Sequence, residues 1–288
     1  MVANTTLPFL FVQDGPLVGS QHSVARFKVS NTKPNAESIM NHLVYNVAHI
    51  TALMRDLMSS RHKCLLGTRV LMFHDINIDQ SREDVYSLPS NTFADFAKQL
   101  RSWADANGIQ IRRFSHEPLP GVAVTFDDGY SSTLTHAAEH LNDSSIPFHV
   151  FVTKQFVESS DSKYLAPKDV VELSDMHLTT LGVHGVSHSR LSQLSHHEIR
   201  RELHDSQRWL EDLIGRPVTT ASYPHGDYND SVIEIMKELG FNAVACSNVG
   251  TFTSSGQRFV IPRVDVWALD SASTILQKTR GSWDHVLS

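Results

Sequence analysis

Along most of the chain, short unbroken apolar runs alternate with longer stretches in which apolar residues recur every three or four positions. The runs, at 70–73, 122–126, 148–152, 181–183, 218–223, 241–245 and 264–267, read as strands buried on both faces. The stretches at 92–107, 131–141, 195–214 and 229–239 read as amphipathic helices. Gly108, Gly215 and Gly240 stop three of them, and Ser195 with Glu198 forms a capping box. Strand-helix pairs in series predict an α/β fold whose parallel sheet is open or closed into a barrel. In such folds reactive residues gather where strands end. Residues 1–66 break the pattern. They hold a strand pattern over 25–29 and a helix pattern over 35–59, with Ile39, Leu43, Val47, Ile50 and Leu53 at helical spacing. The prediction is an N-terminal extension that packs on the main domain, 67–288, or on another subunit.

Composition narrows the function classes. With 41% hydrophobic and 19% charged residues, the chain can bury a substantial core. A formal charge of −6 and the lack of a basic run argue against nucleic acid as the main partner, because phosphate neutralisation needs clustered Lys and Arg. No apolar stretch reaches the roughly 18 residues that span a membrane. The apolar run at 7–12 lacks a basic flank and a cleavage site, so the expectation is no signal peptide and a cytoplasmic protein. Two cysteines, Cys64 and Cys246, are too few for a disulfide framework. Histidine, at 17 residues, is the unusual quantity, and it is the commonest metal ligand.

Three motifs stand at predicted strand ends. Thr125-Phe126-Asp127-Asp128-Gly129-Tyr130 offers two adjacent carboxylates. Neighbouring residues there point in different directions, so one can ligate a metal while the other stays free as a base. The same residues also suit an acidic turn before a helix. His184-Gly185-Val186-Ser187-His188 sets two imidazoles four apart, able to converge on one ion. Two His and one Asp leave open coordination positions, as a catalytic metal requires. Ser222-Tyr223-Pro224-His225-Gly226 makes a tight loop whose backbone N–H groups can face an oxyanion or simply turn the chain.

TFDDG, HxxxH and the YPxG loop, in this order and at these intervals, resemble the NodB-homology polysaccharide deacetylases, carbohydrate esterase family four. The resemblance covers 68–267. It implies a distorted (β/α) barrel and one divalent metal, most often Zn2+, with Co2+, Ni2+ or Mn2+ as alternatives. It implies Asp128, His184 and His188 as ligands and Asp127 as the base for the attacking water. The family also needs an acid for the leaving amine, usually a histidine near the C-terminus. The segment 275–288 has only His285 and lacks that motif. Leu71-Met72-Phe73-His74-Asp75-Ile76 instead looks like the permuted arrangement of the biofilm poly-N-acetylglucosamine deacetylases, which makes His74 the expected acid. Many members carry an arginine two positions before the loop proline. That position is Ser222 here, so Arg263 is expected to orient Asp127 and keep it ionised. His225 replaces the usual aromatic and is expected to give its backbone N–H to the oxyanion. Tyr223 and Trp267 are expected to pack against a sugar ring or to belong to the core.

The expected function is metal-dependent removal of an N-acetyl, or other N-acyl, group from an amino sugar or oligosaccharide by a catalytic domain over 67–288. A small or nucleotide-linked sugar fits the cytoplasmic reading, and the extension over 1–66 is the expected surface for a homo-oligomer. Rival readings are hydrolysis of another non-peptide C–N bond, such as a cyclic amide or formamide, and carbohydrate binding without catalysis. His136-Ala137-Ala138-Glu139-His140 matches an inverted zinc-protease motif, and equally suits a solvated helix face.

Overall fold

The computed structural model describes residues 66–78 and 84–284, together with Val47, Ile50, Thr51 and Met54. Strand β1 (Thr68–Phe73) leads into a short parallel pair, β2 (Asp75–Asn77) and β3 (Ser87–Pro89). Helix α1 (Ser90–Asn107) and β4 (Gly121–Phe126) follow, then α2 (Ala138–Asp143), β5 (Phe148–Val152), α3 (Lys154–Glu158), α4 (Pro167–Asp175) and β6 (Thr179–Val183). The chain ends in α5 (His196–Ile214), β7 (Thr220–Ser222), α6 (Asp230–Glu238), β8 (Ala243–Ala245), β9 (Val264–Asp265) and α7 (Ala272–Arg280). The main sheet is parallel, in the order β8-β7-β6-β5-β4-β1-β9. After β8, Ile261 bridges to Ala245, and three residues later Val264 pairs with Leu71 of β1. The segment 261–265 thus carries the sheet round into a distorted barrel, as expected.

Side chains alternate across this sheet, as the two-residue period of a strand requires. Leu71, Phe73, Val124, Phe126, Val150 and Val183 belong to the large cluster under the helices. Val70, Ala123, Phe151, Ala243 and Ala245 face a smaller cluster on the other side. That inner side is tight. A Cβ at Gly182 would lie 2.6 Å from Thr220 Oγ1 and 2.8 Å from the His149 ring, so only glycine fits. Burial pushes His149 down to about 3, and its two ring nitrogens meet Thr180 and Thr220 hydroxyls, so a neutral ring fills the interior.

The helix caps follow the sequence. Ser195 Oγ accepts from the Glu198 N–H while the Glu198 carboxylate accepts from the Ser195 N–H, and Gly215 takes the left-handed conformation that ends α5. Elsewhere the elements differ. The segment predicted helical over 131–141 begins as a π-turn, Thr133–Ala137, before α2. Strands predicted over 218–223, 241–245 and 264–267 are shorter: β7 and β8 each start two residues later, β7 ends one residue earlier and β9 two residues earlier. Helices α3, α4 and α7 are additional to the predicted set. The strand expected over 25–29 lies outside the described residues. Of the helix expected over 35–59, Val47, Ile50, Thr51 and Met54 are described; all are helical and exposed, so described residues do not cover the predicted apolar stripe at Val47 and Ile50. Among the described residues no helix is long and apolar enough to cross a membrane.

Candidate active site

The carboxyl ends of β1, β4, β6, β7 and β9 lie at one end of the parallel sheet. At the end of β4, Asp127 keeps the sheet going through its N–H to the Phe73 carbonyl, 2.9 Å. Asp128 and Gly129 then both take positive φ, 72° and 83°. His184 Nε2 lies near an oxygen of each carboxylate, 3.9 Å from Asp127 Oδ2 and 3.4 Å from Asp128 Oδ1. His188 and His225, each at φ 59°, share the left-handed conformation. Non-glycine residues adopt it rarely, and such residues concentrate at functional loops.

Asp128, His184 and His188 form the one group of three or more potential metal ligands, among the described residues, whose ligand atoms all lie within 4.8 Å of one another. Asp128 Oδ1 is 3.4 Å from His184 Nε2 and 3.2 Å from His188 Nε2. It is nevertheless buried without a hydrogen-bond partner. Bonds of about 2.0–2.1 Å to a tetrahedral ion put donor atoms roughly 3.3 Å apart, so the spacing and the orphaned oxygen both fit a divalent metal. His184 is prepared for that role. Its Nδ1 meets the Ser222 carbonyl at 3.0 Å and Ser222 Oγ at 2.6 Å, which leaves Nε2 for the ion. Burial pushes its pKa down to about 4 against the pull of Asp127, so the ring is neutral near pH 7. Burial alone would raise the Asp128 carboxyl, but the imidazoles of His188, His184 and His74 hold it below the usual carboxylate range. Glu202, on α5, pins the loop between the two histidines by accepting from the Val186 and Ser187 N–H groups at 2.8 and 2.9 Å. Sequence reading had not singled it out, since an exposed-looking Glu in a helix carries no signal of what it holds.

Beside this cluster Asp127 lies in a buried fork. Arg263 Nη1 and Nη2 each donate to one of its oxygens at 2.7 Å, and Arg263 Nε donates to the Cys246 carbonyl at 3.0 Å. Both side chains are nearly sealed from water, Arg263 at 1% and Asp127 at 2% exposure. Burial would raise Asp127; the Arg263 guanidinium, with His184 and His74, brings it below its ordinary value. His74 stands at the end of β1, between that carboxylate and Asp265 of β9 in its electrostatic influence. Asp75 does not serve it, because its oxygens accept from Ser132 Oγ and Ser87 Oγ. Asp265 was missed: its Oδ1 is buried and unpartnered, and burial raises its pKa against the pull of His74.

The remaining expected residues separate. His225 is exposed at the mouth, its ring 4.3 Å from that of His188 and its Nε2 3.1 Å from the His188 carbonyl. Trp267 is half-buried, with Lys278 Nζ 4.3 Å over its ring. Tyr223 corrects the expectation of a sugar platform. It is 0% exposed, stacks on Tyr228, and donates its hydroxyl to the Phe259 carbonyl, so it belongs to the core. His136 and His140 lie on the π-turn and α2, outside the metal-ligand set.

The chain is similar to known polysaccharide deacetylases. Residues 116–244 match the family model described as polysaccharide deacetylase. A putative polysaccharide deacetylase of Bacillus subtilis is 22% identical over 207 residues, covering 68% of this chain and 70% of the relative. The poly-β-1,6-N-acetyl-D-glucosamine N-deacetylase of Staphylococcus aureus is 24% identical over 196 residues, covering 62% and 67%. Among solved structures, a Streptococcus pyogenes deacetylase in complex with acetate superposes with a TM-score of 0.64 at 19% identity, over 74% of this chain and 98% of that one. IcaB from Ammonifex degensii superposes with a TM-score of 0.62 at 23% identity, over 74% and 97%.

Proposed function

We propose how this chain, whose residues 116–244 match the polysaccharide deacetylase family model, removes an N-acetyl group from an amino sugar in a carbohydrate. It is a carbohydrate N-deacetylase, a hydrolase of a linear amide. The observation that carries the residue assignment is the pairing, in one buried site, of a metal-ligand set with a second carboxylate held by an arginine. Asp128, His184 and His188 would hold one divalent ion, most simply zinc for two imidazoles and a carboxylate with open positions. When bound, that ion polarises the amide carbonyl and acidifies water to a pKa of about 7.

The chain's own residues do the rest. Arg263 keeps Asp127 ionised and fixes its plane, so the carboxylate takes the proton of the attacking water as oxygen adds to the carbonyl carbon. The His225 backbone N–H stabilises the developing oxyanion, where one donor is worth roughly 3–4 kcal/mol. His74 passes a proton to nitrogen as the C–N bond breaks, giving acetate and a free amine, and one water is consumed. Trp267, backed by Lys278, offers one face to a sugar ring.

We take the substrate to be an oligomer or polymer rather than the small precursor expected from the sequence, because the relatives named for their substrate act on poly-β-1,6-N-acetyl-D-glucosamine. The test is acetate release from monomeric, oligomeric and polymeric N-acetyl sugars, with chelator and with zinc restored. Release that chelator abolishes and zinc restores is the expected result. No release from zinc-loaded protein on any of the sugars would overturn the reading.

A further inference from the structure

The deacetylase reading assigns a proton donor, and the geometry around it points to a residue that none of the motifs contains. His74 Nδ1 is buried and has no hydrogen-bond partner among the described residues. Its sequence neighbour Asp75 is fully engaged elsewhere, by Ser132 and Ser87. A proton-donating imidazole must nonetheless keep one orientation, since a displacement of about 1 Å can cost a hundredfold in rate. With no hydrogen bond at Nδ1 to set that orientation, packing must do so.

The ring that packs on it is Tyr86. The two ring centroids are 4.6 Å apart and the planes meet at 42°. Tyr86 is itself anchored on both sides. The Tyr86 N–H donates to Asp84 Oδ1 at 3.0 Å, and the Val85 carbonyl accepts from the Ala268 N–H at 2.8 Å, one residue after Trp267. The next residue, Ser87, opens β3 and donates to Asp75 at the start of β2. The segment 84–87 is therefore tied to β2 and to the loop after β9, and it lays the phenol across His74. Burial, then Asp265, Asp84 and Asp128, oppose ionisation of the phenol, so the ring lies within the field of the site and stays neutral. Its outer side is open, at 42% exposure.

We propose that Tyr86 is a positioning residue for His74: its ring sets the tilt of the imidazole so that the proton meets the leaving nitrogen, and it closes that side of the imidazole to bulk water. The ring is what matters, not the hydroxyl. The inference rests on His74 being the acid for an amide.

The test compares two substrates on the zinc-loaded enzyme. An N-acetylated sugar oligomer needs its leaving amine protonated; an activated aryl acetate releases a phenolate that needs no proton. Tyr86→Ala is expected to lower kcat on the sugar by about tenfold to a hundredfold and to leave the aryl ester rate unchanged. Tyr86→Phe is expected to match the wild type on both. Equal loss on both substrates, a loss confined to KM, no loss, or a Phe variant as impaired as the Ala variant would each overturn the proposal. Proton–carbon spectra of histidine-labelled protein give a readout independent of turnover. Tyr86→Ala should move the His74 ring signals, through the lost ring current, and leave those of His149 in place. Unmoved His74 signals overturn the contact itself. A wild type that cleaves the ester and none of the sugars would instead sink the deacetylase reading, and this inference with it.

Discussion

Replacing Arg263 with alanine removes four hydrogen bonds: two to Asp127, one to Thr125 Oγ1 and one to the Cys246 carbonyl. It leaves Asp127 sealed from water with its main counter-charge gone. Removing one partner of a buried ion pair costs about 3–5 kcal/mol, a large part of the stability of an ordinary domain. The pH dependence carries the sign. Asp127 is now depressed below its ordinary value, so the stability it contributes is present above its unfolded pKa and is lost as pH falls through the folded one. Without Arg263, burial is opposed only by His184 and His74, and the carboxyl moves up. The deficit of the variant should thus be full at neutral pH and shrink as pH falls from the variant's raised folded pKa towards the wild type's depressed one. Turnover should fall by about 10²–10⁴, the usual contribution of a positioned base. Arg263→Lys keeps the charge but not the fork, so it should recover part of the stability and little of the rate. The assay is urea unfolding at several pH values, run with chelator present, beside acetate release by zinc-loaded protein. An alanine variant within about 1 kcal/mol of the wild type at pH 7, well under the cost of an orphaned buried charge, would refute the reasoning. So would a deficit that acid leaves untouched.

Two other substitutions separate binding of the ion from use of it. Asp127→Asn should retain bound zinc, measured by atomic emission, and lose acetate release, whereas Asp128→Ala or His188→Ala should lose both; near-native turnover of Asp127→Asn would remove it as the base. Ser222→Ala deletes one of two partners of His184 Nδ1 and leaves the Ser222 carbonyl in place. Zinc affinity, followed by competition with a chromogenic chelator, should therefore weaken by about tenfold, the low end for such supporting contacts. Unchanged affinity would mean that the carbonyl alone orients the ring.

Much of the site was legible because its chemistry sits at strand ends, and strand ends were marked by where apolar runs stop. Asp127 and Asp128 follow Phe126, and His184 follows Val183, each the last residue of a strand. Other parts were hidden for physical reasons. Tyr223 and Trp267 look alike in sequence, since an aromatic next to a motif suits a core or a cleft equally. Only the packing against Tyr228 and the Phe259 carbonyl sends Tyr223 inward. Helix α7 escaped because it buries Gln277, Lys278 and Thr279 along with Ile275 and Leu276, so its inner face carries no clean apolar stripe. Lys278 tolerates this through its ion pair with Asp270, 2.6 Å, both sealed from water. Helix α4 did carry its signals, a proline in the first turn and Asp169 reaching back to the Ala166 N–H, but in a segment too short for periodicity to stand out. Tyr86 meets His74 only because three-residue strands β2 and β3 pair across a gap of nine residues, which local pattern does not encode.

The way the sheet comes round has a practical outcome for the working enzyme. Arg263 reaches Asp127 from the segment between the Ala245–Ile261 bridge and the two-residue β9, where one isolated bridge and one short pairing close the sheet. Such a seam can open locally at a free energy well below that of global unfolding. Each opening would draw the guanidinium away from the carboxylate while the helices still cover the sheet. Heat would then silence this enzyme reversibly at temperatures where its core is intact. Its working range would be set by the closure of a few backbone contacts rather than by the amount of apolar surface it buries.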